Sequence, residues 1–418
     1  MLNIDKNFNE IIEVLFDTQN EKFDHKFEEE KLERFKELCK TKKFIFFGTG
    51  YYLKSIVKYF KLNFGVDVYG AYDWVEEEIK TKSGVFSNSL DYKYLDLEKY
   101  YKYRDKVKLI SKEEFYENPD DVVIFLNTDS YAYLTHTFYR SGFKHMYCMR
   151  SLAKNLLSFN LIEKKQKGFD EYDLNKLNHK FTASEIVNII TLYNLLEDKK
   201  SKEVFAAILK FKLTEDYFYP ILVKDDTSLQ YFDKEVLTLC EDEVFIDCGA
   251  YTGDTIASFL KVTNEKFKHI YSYEPEKNTF EELKRYVDTL EQKDKITIIN
   301  AGVYYKNKTF YLHGEGVGVS CTNEVTNRKT EVVSIDETIN HIPTFIKMDI
   351  QTFEIQALLG GINNIIKYKP KLAISIYHKF DDLWNIPLLL KQWLPEYRLI
   401  MRHYECTQEE TIIYAIPK

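Results

Sequence analysis

Twice along this chain, short apolar runs alternate with segments of helical period, once from Lys43 and again from Val244. The first series reads FIFF, YLKSIVKYFKL and VDVYGAYDW, and resumes as DDVVIFLNT, a helical YAYLTHTFYRSG and FKHMYCM. The second contains VFIDC, HIYSYE, KITIINA, FIKMDI and KLAISIY. Strands that alternate with helices are joined by right-handed crossovers and pair in parallel. The last two runs, YRLIMRHY and TIIYAI, are separated only by ECTQEE. That spacing predicts an antiparallel hairpin closing one edge of the second sheet. The expected fold class is therefore α/β, with two parallel sheets.

A chain of 418 residues exceeds one ordinary core, so more than one domain is expected. Charged residues with apolar positions at helical spacing (Ile11, Val14, Leu15) predict N-terminal helices over 1–40. A Rossmann-like parallel domain is expected over 41–150. Residues 151–235 contain amphipathic helices such as ASEIVNIITLYNLLED and SKEVFAAILKFKL and read as a helical connector or cap. The second α/β domain is expected over 236–418. The absence of a Gly/Ser-rich linker predicts domains packed together.

The net charge is -8. A nucleic-acid partner would favour a basic face, so none is expected. No apolar run approaches the roughly 20 residues that span a bilayer, so no membrane span is expected. The N-terminus, MLNIDKNFNEIIEV, lacks a basic start followed by an apolar block, and a cytoplasmic location is the default. Cys39, Cys148, Cys240, Cys248, Cys321 and Cys406 form no CxxC pair, which argues against structural zinc or a disulfide framework. The oligomeric state is left open, a homo-oligomer included.

Ligands of a doubly wound sheet sit beyond the carboxyl ends of the strands. There the chain reads VFIDCGAYTGDT, placing Asp247, Gly249, Ala250, Tyr251, Gly253, Asp254 and Thr255 in one strand–turn–helix. Gly249 permits a tight turn and close backbone approach. Asp247 can accept hydrogen bonds from a ligand amine or loop amides, and Asp254 or Thr255 can cap the next helix. The following strand ends in YEP, with Glu274 roughly 20 residues beyond Gly253 and next to Pro275. A carboxylate there can accept both ribose hydroxyls of an adenosine. Ala301 and Gly302 end the third strand and leave room for an adenine ring.

The spacing D-x-G-x-x-x-G differs from the dinucleotide fingerprint G-x-G-x-x-G. A pyrophosphate wants bare amides at a helix N-terminus, and an acid in place of one repels it. S-adenosylmethionine has an ammonium and a sulfonium and no phosphate. An acid beside the loop favours it over NAD.

The motifs VFIDCGAYTGDT, IYSYEP, TFIKMDI, PKLAISIYHK and RHY together resemble the FkbM-type S-adenosylmethionine-dependent methyltransferases over roughly residues 230–418. The resemblance implies a seven-stranded class I methyltransferase fold and O-methylation of a hydroxyl on a sugar or other secondary metabolite. The arrangement is also similar to bacterial FkbM proteins with an extra Rossmann-like domain in front, associated with cell-surface glycans. The family continues its fourth strand as D-x-E-G-A-E, whereas this chain has Asp349-Ile350-Gln351-Thr352-Phe353-Glu354. The departure is expected to alter acceptor binding. Gln351 also removes one oxygen ligand, and no metal is expected.

Asp349 and His378 end the fourth and fifth strands and are the expected catalytic pair. His378 would act as base or acceptor orienter, because its unperturbed pKa lies near neutrality. Asp349 would shape the acceptor site or contact the donor amine; as a bland alternative it caps the next helix. Glu354 lies in that helix's first turn, where dipole compensation accounts for it. Tyr231 would line the donor pocket, and Asp233 would cap a helix that follows it. His403 belongs to the edge hairpin, with a structural role. The glycine-rich segment from His313 to Ser320 lacks a following helix and is expected to be a loop near the acceptor.

Gly48-Thr49-Gly50 follows a strand as a Rossmann loop would, but Leu53 stands at the third glycine position. Asp73 ends the next strand at a distance compatible with a ribose contact. This loop either seats a nucleotide or nucleotide-linked sugar, or belongs to a domain used for packing. The leading expectation is O-methylation of a carbohydrate or glycan precursor, with a sugar or nucleotide-linked sugar as partner. The alternatives are a non-catalytic sugar-nucleotide-binding or assembly protein and an NAD-linked oxidoreductase.

Overall fold

The computed structural model describes residues 33–47, 60–61, 65–72, 108, 110–126, 131–148, 181–214, 218–313, 320–322, 325–405 and 407–418. They fall into two compact units. The first runs to Phe181 and includes Lys210–Ile221; the second holds Thr182–Leu209 and Leu222–Lys418. No helix among the described residues is long and apolar enough to cross a membrane.

The first unit contains a sheet of β1 (Lys43–Phe47), β2 (Gly70–Tyr72), β3 (Val122–Leu126) and β4 (His145–Cys148). Its order is β2-β1-β3-β4 and every pairing is parallel. Alternate side chains of β1 enter different cores. Phe44 and Phe46 pack with Phe35, Phe60 and Phe125, while Ile45 and Phe47 pack with Phe115, Leu134 and Phe138. A sheet buried on both faces explains why FIFF and VVIFL are unbroken apolar runs. Helices Lys112–Tyr116 (α1) and Tyr131–Arg140 (α2) flank β3 in sequence. The glycine turn Gly48–Gly50, Leu53 and Asp73 lie outside the described residues, as do Ile11, Val14 and Leu15.

In the second unit, seven strands form one sheet. They are β5 (Val244–Cys248), β6 (His269–Tyr273), β7 (Ile296–Ile299), β12 (Phe345–Met348), β13 (Lys371–Ser375), β14 (Arg398–His403) and β15 (Thr411–Ile416). The order is β14-β15-β13-β12-β5-β6-β7. β15 pairs antiparallel with both neighbours, and the remaining pairs are parallel. This is the class I methyltransferase arrangement, with the expected hairpin at one edge. From β5 the chain runs outward through β6 and β7, then returns to β12 on the other side. The order thus reverses between β5 and β12, and there the strand ends diverge.

Helices α3 (Ala183–Leu195) and α4 (Lys199–Thr214) precede this sheet in sequence. Thr182 and Glu185 make a reciprocal capping box at the start of α3. Arg402 of β14 reaches Asp198 at 2.9 Å and Ser201 at 3.1 Å. These bonds tie the start of α4 to the outermost strand. Helices α5 (Asp254–Val262), α6 (Lys277–Asp288), α7 (Glu354–Gly360), α8 (Ile362–Tyr368) and α9 (Asp382–Trp393) also belong to the unit.

Several local readings change. The residue before α5 is Gly253, at φ 98, and no side chain caps that helix; Asp254 is already helical. Residues after Asp233 form a turn, with the amides of Val236 and Leu237 bonded to its carbonyl, so Asp233 caps no helix. Phe353 occupies the position before α7, which leaves Asp349 free of capping duty. A second sheet lies between β7 and β12 in sequence. It has the order β10-β9-β11-β8, from Gly302–Val303 (β8), Lys308–His313 (β9), Ser320–Thr322 (β10) and Lys329–Val333 (β11). The loop between His313 and Ser320 lies outside the described residues.

Candidate active site

At the reversal point the backbone is packed too closely for ordinary side chains. Gly249 sits at φ 82, and a Cβ there would collide with the main-chain oxygen of Asp349. The amides of Gly249 and Ala250 donate to the carbonyl of Tyr273 at 3.1 and 3.0 Å, and Asp349 N–H donates to Cys248 O at 3.1 Å. These bonds join the ends of β5, β6 and β12. At Gly253 a Cβ would come within 2.5 Å of the Tyr286 ring of α6. Tyr251, at φ 46, is carried outward over the turn.

A cavity of about 500 Å³ opens above these strand ends. Gly249, Tyr251, Asp254, Thr255, Glu274, Pro275, Gly302, Asp349 and His378 line it. Asp247, Ala250, Gly253 and Ala301 do not. Ala250 and Ala301 are buried supports, and Gly253 makes the turn.

Glu274 accepts the amides of Tyr251 at 3.1 Å and Glu276 at 2.8 Å, one on each carboxylate oxygen. Burial pushes its carboxyl up to about 7, against the pull of the two amides. Each oxygen keeps a second acceptor position. The carboxylate is thus fixed in direction while still able to receive hydroxyl donors.

Asp247 has a different duty from the one its position in the turn suggests. It is fully buried and faces Lys347 at 3.2 Å. The two residues are register partners across β5 and β12. Burial raises the Asp247 carboxyl to about 6, with Lys347 pulling the other way. Lys347 also donates to Gly249 O at 2.7 Å. The pair therefore holds the turn from below, and its charge is balanced. Acids that do face the cavity are Asp254, Glu274, Asp349, Glu409 and Glu410.

Asp349 is the focus of the opposite wall. It accepts the Tyr231 hydroxyl at 2.7 Å and the Tyr377 hydroxyl at 3.0 Å. Burial, then the Asp349 charge, pushes both phenols up, so they remain protonated donors. His378 Nε2 lies 3.3 Å from Asp349 Oδ1, and His378 Nδ1 lies 2.9 Å from Glu354 Oε1. Gln230 donates to Glu410, whose carboxyl rises to about 8 through burial and then through Asp349 and Glu409.

Sequence reasoning brought Asp349 and His378 to this wall but missed Tyr377, Lys347, Glu409 and Glu410 and gave Glu354 a helix-end role. Tyr377 adjoins His378, and the two glutamates end the hairpin's polar segment; neither position signals chemistry until the strand ends meet.

Asp349, Glu354 and His378 each bring one ligating atom within 4.8 Å of the others. The two carboxylates nevertheless face opposite nitrogens of one ring. As placed, the two carboxylates form a clamp on the imidazole.

This geometry joins a glycine-turn cavity, a cavity-lining carboxylate directed by two backbone amides and a class I strand order. Residues 247–403 match the family model described as Methyltransferase FkbM domain. The chain carries an FkbM methyltransferase domain. Among solved structures, methyltransferase FkbM from Methylobacillus flagellatus KT is similar over 91% of this chain and 92% of its own, at 24% identity and a TM-score of 0.56. A SAM-dependent methyltransferase from Aquifex aeolicus matches 48% of this chain and 97% of its own, at 15% identity and a TM-score of 0.28. No curated protein sequence matches this one.

Gln351 and Thr352, where the resemblance implies a Glu-Gly pair, adopt φ 55 and φ 85. The turn after β12 thus takes a left-handed backbone at two residues, neither of them glycine.

Proposed function

We propose that the FkbM domain transfers a methyl group from S-adenosylmethionine to a hydroxyl of a carbohydrate or glycan precursor. What carries this reading is that Glu274 and Asp349 line one cavity of about 500 Å³. One carboxylate is directed by backbone amides and suits the ribose of an adenosine. The other is surrounded by hydroxyl donors and suits an alcohol.

The residues present fit the donor. Gly249 keeps the floor of the turn open, Glu274 would accept ribose hydroxyls, and Pro275 and Gly302 would border the adenine. The acids that face the cavity take over the electrostatic part first assigned to Asp247, favouring a cationic ligand over a diphosphate. When bound, S-adenosylmethionine supplies a methyl carbon on a sulfonium, and the carbon–sulfur electron pair stays with sulfur as the methyl leaves.

An alcohol attacks poorly while it holds its proton, and a positioned base contributes about 10²–10⁴-fold. Of the two roles open to His378, the orienting one fits better, because both ring nitrogens already face carboxylates. Asp349 is the cavity-lining acceptor and takes the alcohol's proton. Tyr231 and Tyr377 fix its direction, so the proton acceptor is placed before the alcohol arrives. Alignment of this kind can supply up to about 7–11 kcal/mol of barrier lowering.

The non-catalytic alternative finds no support in the replaced pair, since strain is retained at positions 351 and 352 where a relaxed loop would shed it. Calorimetry with S-adenosylmethionine, adenosylhomocysteine and NAD, followed by transfer of labelled methyl to a panel of glycans, tests the proposal. Binding of adenosylhomocysteine together with methylation of a glycan hydroxyl supports it. Binding of NAD in its place, or donor binding with no methylated glycan, would overturn it.

A further inference from the structure

The FkbM turn carries a buried carboxylate whose position the helix dipole does not explain. Glu354 is fully buried at the start of α7. A carboxylate placed only to offset a helix dipole does so from the surface at little cost. A buried one demands compensation. Here Oε1 takes the Ile350 amide at 3.0 Å and faces His378 Nδ1 at 2.9 Å. Oε2 is also buried and has no hydrogen-bond partner among the described residues.

We infer that Glu354 is a positioning residue, which grips His378 at Nδ1, holds the ring's other nitrogen against Asp349, and thereby leaves Asp349 to take the acceptor's proton. This rests on the methyl-transfer reading of the site. The His378 side chain is 4% exposed and that of Asp349 is 18% exposed, so of the two only the carboxylate has an appreciable face toward the cavity. The link between Glu354 and Asp349 is short and stiff. They are the two ends of one turn, and Thr352 O in that turn accepts Lys379 Nζ at 2.5 Å. Lys379 is the residue after His378. Its amide bonds Asp382 at 3.0 Å. The turn after β12 and the segment after β13 are therefore tied at the ring and again beside it.

The charges around His378 favour the imidazolium. Glu354 and Asp349 lie on the two nitrogens, Asp382 approaches from α9, and Glu409 acts from the segment before β15. Lys379 opposes them from the next position in sequence. Burial lowers the His378 pKa, and the carboxylates outweigh it, so the net direction is up. A ring held as a cation between two carboxylates cannot serve as base, but it steadies the charge and direction of Asp349.

The test is E354Q, which keeps size and removes charge. In the unloaded protein, the His378 imidazole is titrated by NMR with labelled histidine. The expected result is a fall of about one pH unit or more. In turnover, kcat is expected to fall about 10–100-fold while the acceptor KM stays within about twofold. E354D should recover part of both, because it restores the charge at greater distance. Adenosylhomocysteine calorimetry checks that the donor site is intact, and if E354Q does not bind it, E354D against wild type carries the comparison. An unmoved His378 titration, or an unchanged kcat in a protein whose wild type is active, overturns the inference. Wild type that binds donor yet methylates no alcohol fails at the functional reading instead.

Discussion

The main-chain oxygen of Asp349 occupies the place where a Cβ on Gly249 would stand. Gly249 is also at φ 82, a conformation that a side chain disfavours. Two independent penalties meet at one residue, and backbone, which cannot rotate away, is the obstacle. Gly249→Ala is expected to lose about 2 kcal/mol or more of stability. Because the shift would separate β5 from β12, donor affinity should fall as well. Urea unfolding and adenosylhomocysteine calorimetry measure the two effects. A variant with wild-type stability and affinity would mean that the turn is not packed this tightly.

At Thr352 the opposite change should help. A β-branched residue at φ 85 is strained, and such strain costs about 1–3 kcal/mol. Glycine relieves it but loses more chain entropy on folding, by about 0.4–1 kcal/mol. Thr352→Gly is therefore expected to stabilise the protein by about 1 kcal/mol, read as a higher urea midpoint at unchanged slope. The Lys379 bond to this residue's carbonyl survives the change, since it uses backbone.

Lys347 and Asp247 stabilise the site only as a pair. Lys347→Met leaves a buried carboxylate uncompensated, which costs about 3–5 kcal/mol. The cost should depend on pH. Asp247 already has its carboxyl raised to about 6, and loss of Lys347 raises it further. A raised carboxyl favours the folded state while protonated and loses that contribution as pH rises through the folded value. The K347M deficit is therefore expected to shrink between pH about 7 and 5. Unfolding of K347M and of the double variant D247N/K347M at both pH values checks this, with the double variant recovering most of the loss at pH 7.

The sequence revealed the large sheet because its central strands are covered on both faces. VFIDC and FIKM are buried throughout, and burial on two sides writes a continuous apolar run. The small sheet is different. β9 buries only Phe310 and Leu312 and β8 is two residues long, so neither writes the unbroken apolar run of a strand covered on both faces. Asp247 was placed at the ligand because its position in the turn is visible in the sequence. Lys347 is its partner only through the register of β5 on β12, which no local pattern encodes. Glu354 was hidden for the same reason. Its helical position is legible, but the ring it faces arrives from the end of another strand.

His403 should give the protein an acid-sensitive edge. It is fully buried in β14, with Nδ1 2.9 Å from the Thr411 hydroxyl of β15. Burial lowers its pKa to about 4. The unfolded chain takes up the proton near pH 6.5, whereas the folded chain resists it, so stability falls as pH drops from about 6.5 toward 4. The full loss corresponds to about 3 kcal/mol at roughly 1.4 kcal/mol per pH unit. Glu274, raised to about 7, and Asp247 and Asp382, each raised to about 6, act in the other direction. They gain stability on acidification over an overlapping range, so the raw curve of the wild type mixes both signs. The difference between wild type and His403→Gln isolates the histidine. That difference is expected to move against the wild type by about 3 kcal/mol between pH about 7 and 4, measured by urea unfolding. A difference independent of pH would mean that the ring accepts a proton where it stands, and that the hairpin opens enough to solvate it.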